Sequence, residues 1–242
     1  MNKKIIVIVG AGQGLGNHIA KRFGQEGFTV VLMARNGQSL KAYEREFAAE
    51  GIETYTHEAD TAIPESLTIA FDRVKQRFGT PDVLVYNVGI TAMDDPEKMD
   101  CAELMRHYQT DVASAYHCVQ KVATEEFGKK NGTILMTGGG LAMYPLAQFT
   151  PLSLDKAALR TMTYLLHEEL KPKGIFVGTV TICGTIGMDD FFVPARIAET
   201  FWNMYKERNA CEVVYEYPAL KGTEHEASTY WAKVYGLKGT QI

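Results

Sequence analysis

Residues 4–16 read KIIVIVGAGQGLG. The run from Lys4 to Val9 is short, continuous and rich in β-branched side chains, as a strand covered on both faces should be. Glycines follow at 10, 12, 14 and 16, and then Leu15, Ile19 and Phe23 recur at helical spacing through Glu26. A strand running through a glycine turn into a helix is the arrangement that offers backbone N–H groups to a phosphate, with no side chain in the way. The common GxGxxG spacing fails, because Leu15 stands where its third glycine would be. The spacing that fits is Gly10-x-x-x-Gly14-x-Gly16. In it Gly10 permits the tight turn, Gly14 the close approach of a ligand, and Gly16 the packing of helix on sheet. Gly12, Gln13 and Leu15 complete the loop and are counted with it as dinucleotide-binding residues.

Working outward, apolar strands alternate with amphipathic helices along the chain. Strands are expected at 28–34, 52–60, 82–87, 132–138, 174–182 and 212–217, and helices at about 38–50, 64–77, 101–128, 153–171 and 196–208. Strand–helix–strand repetition requires crossovers, which are right-handed and build a parallel sheet. The expected fold is therefore α/β: one Rossmann-type, doubly wound parallel sheet of about seven strands with helices on both faces, spanning 1–242 as a single domain. Its ligand belongs beyond the C-terminal ends of the strands.

Composition narrows the function classes. The net charge is −4 and shows no basic footprint, so nucleic acid is not an expected partner. The run IIVIV is only five residues long, too short to span a membrane, and no signal-peptide pattern surrounds it. Cys101, Cys118, Cys183 and Cys211 are far apart, and the six histidines show no HxxxH spacing. No disulfide framework and no metal site is expected, and a cytoplasmic setting fits.

The second strand ends Met33-Ala34-Arg35-Asn36, with no carboxylate for a ribose 2′-OH. Arg35 is placed to pair with a 2′-phosphate, so NADP(H) is preferred over NAD(H), with Asn36 beside it. The glycine spacing resembles the TGxxxGxG pattern of the short-chain dehydrogenase/reductase family, with Val9 in place of the threonine. The resemblance covers about residues 4–216 and leaves 218–242 as a C-terminal extension. It implies that Asp60 and Thr61, ending the third strand, contact the adenine. YNVG at 86–89 resembles the family's NNAG, which implies ribose and backbone contacts at Asn87, Val88 and Gly89; Asn87 also reads as a plain sheet-edge cap. ICGTIGM at 182–188 resembles the segment that holds the nicotinamide, through Gly184 and backbone groups near Ile186, with Cys183 for its proline and Met188 for a frequent threonine.

The resemblance also implies four catalytic positions. Lys156 matches the lysine that binds the nicotinamide ribose. Four residues earlier, the tyrosine position holds Leu152; the serine position falls at Gly139 and the asparagine position at Asp111. Leucine cannot donate a proton, so the family's acid step cannot run through residue 152. Thr137 stands near enough to substitute for the serine, and Tyr144 in the same loop is a further donor to consider. Only nine residues separate Gly184 from Pro194, where the family often carries a longer lid. Three readings follow: an NADP-dependent oxidoreductase on a carbonyl or alcohol with a rearranged proton relay; a catalytically silent dinucleotide-binding protein, such as a redox sensor or partner subunit; or an interaction module that has lost the nucleotide. The resemblance further implies a homodimer or homotetramer built on the helices at 101–128 and 153–171. The aromatic stretch TYWAKVYG in the tail suggests docking on a neighbour or on the chain's own body.

Overall fold

The computed structural model describes residues 3–223 and 225–236. Seven parallel strands form one sheet in the order β3-β2-β1-β4-β5-β6-β7. They are β1 Ile5–Val9, β2 Thr29–Ala34, β3 Thr54–Glu58, β4 Val83–Tyr86, β5 Thr133–Gly139, β6 Phe176–Ile182 and β7 Glu212–Tyr215. The helices are α1 Leu15–Gln25, α2 Gly37–Ala49, α3 Pro64–Phe78, α4 Cys101–Tyr108, α5 Ser114–Val122, α6 Glu125–Lys129, α7 Thr150–Leu170, α8 Pro194–Glu207 and α9 Ala227–Val234.

Successive β1 side chains point to opposite faces, and each face has its own core. Ile6 and Ile8 pack with Leu15, Ile19 and Phe23 of α1, Phe47 of α2 and Phe201 of α8. Ile5, Val7 and Val9 pack with Leu67 of α3, Ala115 of α5 and Leu159 of α7. Chain order reverses between β1 and β4, which opens a crevice at their C-terminal ends. The last turn of the tail forms a third, smaller core in which Tyr230, Trp231 and Val234 pack with Cys183 and Leu220. The aromatic tail thus docks on the chain's own body; its residues 224 and 237–242 lie outside the described set.

Three expectations need correction. The helix expected over 101–128 is broken. A π turn, Gln109–Ala113, interrupts it, and the chain leaves the helix at Ala123 before Thr124 caps α6 by accepting from the Phe127 N–H at 3.2 Å. A capping side chain offers the backbone an alternative to continuing the helix. The helix expected from 153 starts at Thr150, since Pro151 in the first turn lacks only an N–H that needs no partner there. By residue type and spacing Leu154 and Leu165 on that helix read as core residues, yet they face outward, at 52% and 67% exposure.

The glycine turn divides by function. Gly10 has φ +89°, and a Cβ on it would collide with the Asn87 carbonyl. A Cβ on Gly16 would meet the Gly10 carbonyl, so this glycine lets α1 pack on the sheet. Gly12 and Gly14 have nothing within 4 Å of that position. Gly10→Ala is expected to cost roughly 2 kcal/mol or more, and Gly12→Ala less than about 0.5. Thermal melts of the two variants check this; equal shifts would contradict it.

Candidate functional site

The site is built from four strand ends. After β1, the Gly10 and Ala11 N–H groups both donate to the Met33 carbonyl at 3.0 Å, folding the turn onto β2. After β4, the Asn87 N–H donates to the Val9 carbonyl at 2.8 Å and its Nδ2 donates to the Gly10 carbonyl at 3.0 Å. Thr137 on β5 donates its hydroxyl proton to Asn87 Oδ1 at 2.9 Å. One asparagine thus ties β1, β4 and β5 together, and the sheet-edge role is real.

Lys156, only 7% exposed, reaches across from α7 to these ends. Its Nζ donates to the Thr137 carbonyl at 2.9 Å and the Val88 carbonyl at 3.2 Å. A methyl group on Gly89 would lie 3.2 Å from that Nζ and 3.8 Å from Asp111 Oδ2. Asp111 sits in the π turn, 1% exposed, and both its oxygens accept from the Ile90 N–H, at 3.2 and 3.0 Å. Burial pushes the Lys156 ammonium down, with Asp111 and Asp155 opposing, and burial pushes the Asp111 carboxyl up.

A cavity of about 600 Å³ opens here. Leu15, Asn87, Val88, Gly89, Gly184 and Ile186 line it together with Thr137 and Lys156. Gly139 and Leu152, expected at the serine and tyrosine positions, line it as well, and a Cβ on Gly139 would lie 3.3 Å from the Lys156 stem. The far wall is apolar, made by Leu141, Leu146, Phe149, Ile182 and Trp231. Tyr144 is not among the lining residues; its ring stacks on Tyr230 at 3.7 Å.

The remaining expected residues lie outside the cavity. Gly12, Gln13, Gly14 and Gly16 form the turn leading into α1, whose Gly14 N-cap makes no side-chain bond and whose first turn holds no acid. Arg35 is exposed after β2, and Asn36 caps α2 by accepting from the Ser39 N–H at 2.9 Å. Asp60 follows β3 and accepts from the Ala62 N–H at 2.9 Å, while the Thr61 carbonyl accepts from Ser114 at 2.5 Å.

Trp231 and Tyr235 were not expected in the site. Trp231 Nε1 donates to the Tyr144 carbonyl at 2.7 Å, and a Cβ on Gly140 would lie 3.1 Å from the indole. The Tyr235 hydroxyl shares a 2.9 Å hydrogen bond with the Thr185 hydroxyl. Meanwhile the short 184–194 loop folds inward: Phe192 is fully buried, and Phe191 packs on Tyr215. The tail therefore adds Trp231 and Tyr235 to the cavity wall beside Gly184, Thr185 and Ile186. Its clustered aromatics were the signal in the sequence.

The short chain dehydrogenase family model matches residues 4–189. The chain belongs to that family. A 3-oxoacyl-(acyl-carrier-protein) reductase FabG from Staphylococcus epidermidis is 29% identical over 74% of this chain and 74% of its own. A short-chain type dehydrogenase/reductase from Picea abies is 25% identical over 78% and 73%. The fold matches L-sorbose reductase from Gluconobacter frateurii, solved with NADPH and L-sorbose, at TM-score 0.81 and 22% identity over 89% of this chain and 95% of that one. It also matches an alcohol dehydrogenase from Thermococcus sibiricus, solved with 5-hydroxy-NADP, at TM-score 0.79 and 21% identity over 90% and 99%.

Asp155 is a buried carboxyl, 1% exposed, with no hydrogen-bond partner for either oxygen among the described residues. Burial, and then Asp111, push it up to about 7, with Lys156 opposing. A raised carboxyl holds its proton in the folded chain after the unfolded chain has lost it. Its contribution is full below the ordinary value of 3.8 and is lost as pH rises through about 7. Asp155→Asn should therefore stabilise the chain at about pH 8 relative to about pH 5, by roughly 1–3 kcal/mol. Urea melts at the two pH values check this, and a variant effect independent of pH would contradict it.

Proposed function

We propose that this chain is an NADP(H)-dependent oxidoreductase of the short-chain type, acting on an uncharged, apolar carbonyl or alcohol. The supporting observation is convergence: Leu15 of the glycine turn, Asn87, Val88, Gly89, Gly184 and Ile186, all expected around a dinucleotide, meet Lys156 in one cavity at the strand ends. The residues fit the cofactor. The clear space at Gly12 and Gly14, before an uncapped α1, suits a pyrophosphate. Arg35, exposed after β2, would hold a 2′-phosphate, Asp60 and Thr61 would contact the adenine, and Lys156 would bond the nicotinamide ribose. The dinucleotide, when bound, supplies or accepts hydride.

What this chain contributes is position, dryness and a proton. Thr137, named as a catalytic candidate with Lys156, has its hydroxyl proton committed to Asn87 and serves to position that side chain. The phenol lining the cavity is Tyr235, paired with Thr185, and we assign the proton transfer to this pair. The apolar wall selects an uncharged substrate, since a carboxylate there would lose its hydration without a partner. The solvent-facing Met105, Tyr108, Tyr116, Leu154 and Leu165 support pairing between copies along α4, α5 and α7. The free cysteines support a reducing, cytoplasmic setting.

A second reading, a silent dinucleotide-binding protein, is favoured by Leu152, buried at 5% exposure where the family's acid stands. Calorimetry with NADPH and NADH, followed by a panel of apolar aldehydes and ketones, separates the readings. NADPH should bind at least about tenfold tighter than NADH, and Arg35→Ala should remove most of that difference, worth about 1.4 kcal/mol or more. Tyr235→Phe should lower kcat at least about tenfold with NADPH affinity unchanged. Binding without turnover on any panel member supports the silent reading. No heat with either nucleotide overturns both.

A further inference from the structure

A separate cluster of polar groups lies between α4 and the loop before it. Glu103 and His107 are four residues apart on α4, so they share one face of the helix. Asp94, from the loop, joins them: the three side chains each bring one ligand-capable atom within 4.8 Å of the others. His107 is 1% exposed, and its Nδ1 is buried without a hydrogen-bond partner among the described residues. Asp94 Oδ2 is buried and unpartnered in the same way. A buried polar atom left unpaired bears its full desolvation penalty, and two of them beside an acidic side chain call for a common partner.

The backbone of the cluster is fixed independently of those side chains. The Asp94 N–H donates to the Gln148 carbonyl at 2.8 Å, and the Glu103 N–H donates to Asp100 at 2.7 Å. The neighbouring charges are Arg106, 3.6 Å from the Glu103 carboxylate, and Asp111, which lies one turn beyond His107 and interacts with it electrostatically. None of the three residues lines the cavity.

We propose that Asp94, Glu103 and His107 form a site for a divalent cation of the zinc class. One imidazole with two carboxylates suits Zn²⁺, whereas Mg²⁺ and Ca²⁺ favour oxygen-only sets. Three protein ligands leave a fourth tetrahedral position to water. The ion fastens the 90–100 loop to α4, and Thr91 of that loop lines the cavity. Its role is to hold one edge of the cavity mouth. Neither cysteine spacing nor HxxxH registers this cluster in the sequence: Glu103 and His107 share one helix face, and Asp94 joins them only through the fold.

The test uses untagged chain, stripped with chelator, and ZnCl₂ as the probe, read by calorimetry and by thermal shift. The expected result is one Zn²⁺ per chain at micromolar or tighter affinity, a raised Tm, and binding at least about tenfold weaker for Mg²⁺. Glu103→Gln, at a side chain 48% exposed, should fold normally and lose at least about tenfold in Zn²⁺ affinity. His107→Gln should lose more, and Cys101→Ser, beside the cluster, should lose nothing. Absence of zinc binding, or binding unchanged in both Glu103→Gln and His107→Gln, overturns the proposal. NADPH affinity is measured separately, so failure here does not touch the dinucleotide reading.

Discussion

Asn87 is the joint on which the strand ends depend. Its backbone N–H and side-chain Nδ2 bond the end of β1 and the turn after it, and its Oδ1 accepts a hydrogen bond from the Thr137 hydroxyl on β5. The approach is possible because Gly10 lacks a Cβ and takes a left-handed φ. Once Thr137 is fixed, its carbonyl accepts from Lys156, which also bonds Val88 next to Asn87. A chain of neutral and charge-assisted hydrogen bonds thus runs from the glycine turn to α7. Each bond fixes the next, and the cavity is the space they leave.

The lining around that joint is largely apolar. Leu152 and Gly139 put no hydroxyl beside Lys156, and Trp231 brings an indole over Gly140. The charge that remains is internal. Asp111 in the π turn and Asp155, next to Lys156 on α7, are both buried and interact with it electrostatically, and burial opposes the ionised form of all three. The lysine stays anchored because two backbone carbonyls accept from it, so its placement does not require a neighbouring phenol. Trp231 of α9 and Tyr235 just after it line the cavity together with Gly184, Thr185 and Ile186.

Much of this was legible in the sequence, for reasons that differ by element. The strands and the glycine turn read correctly because β-branched runs and glycine spacing are local signals. Lys156, Leu152 and Gly139 fall together as the spacing implied, since helix and strand registers carry position over short distances. The break near residue 123 depended on a competing cap at Thr124, which periodicity alone does not register. Trp231 and Tyr235 reach the cavity from almost the far end of the chain, and no pattern links positions so distant. Arg35 and Asn36 read as one pair, yet the fold divides them: Asn36 has a capping bond of its own, and Arg35 is left exposed after β2.

A crystal structure of the chain grown with NADPH tests the central claim most directly. The account predicts the pyrophosphate against Gly12–Gly14 at the start of α1, the 2′-phosphate at Arg35, and the nicotinamide ribose within hydrogen-bond reach of Lys156. Nucleotide density elsewhere, or none at saturating ligand, would contradict it.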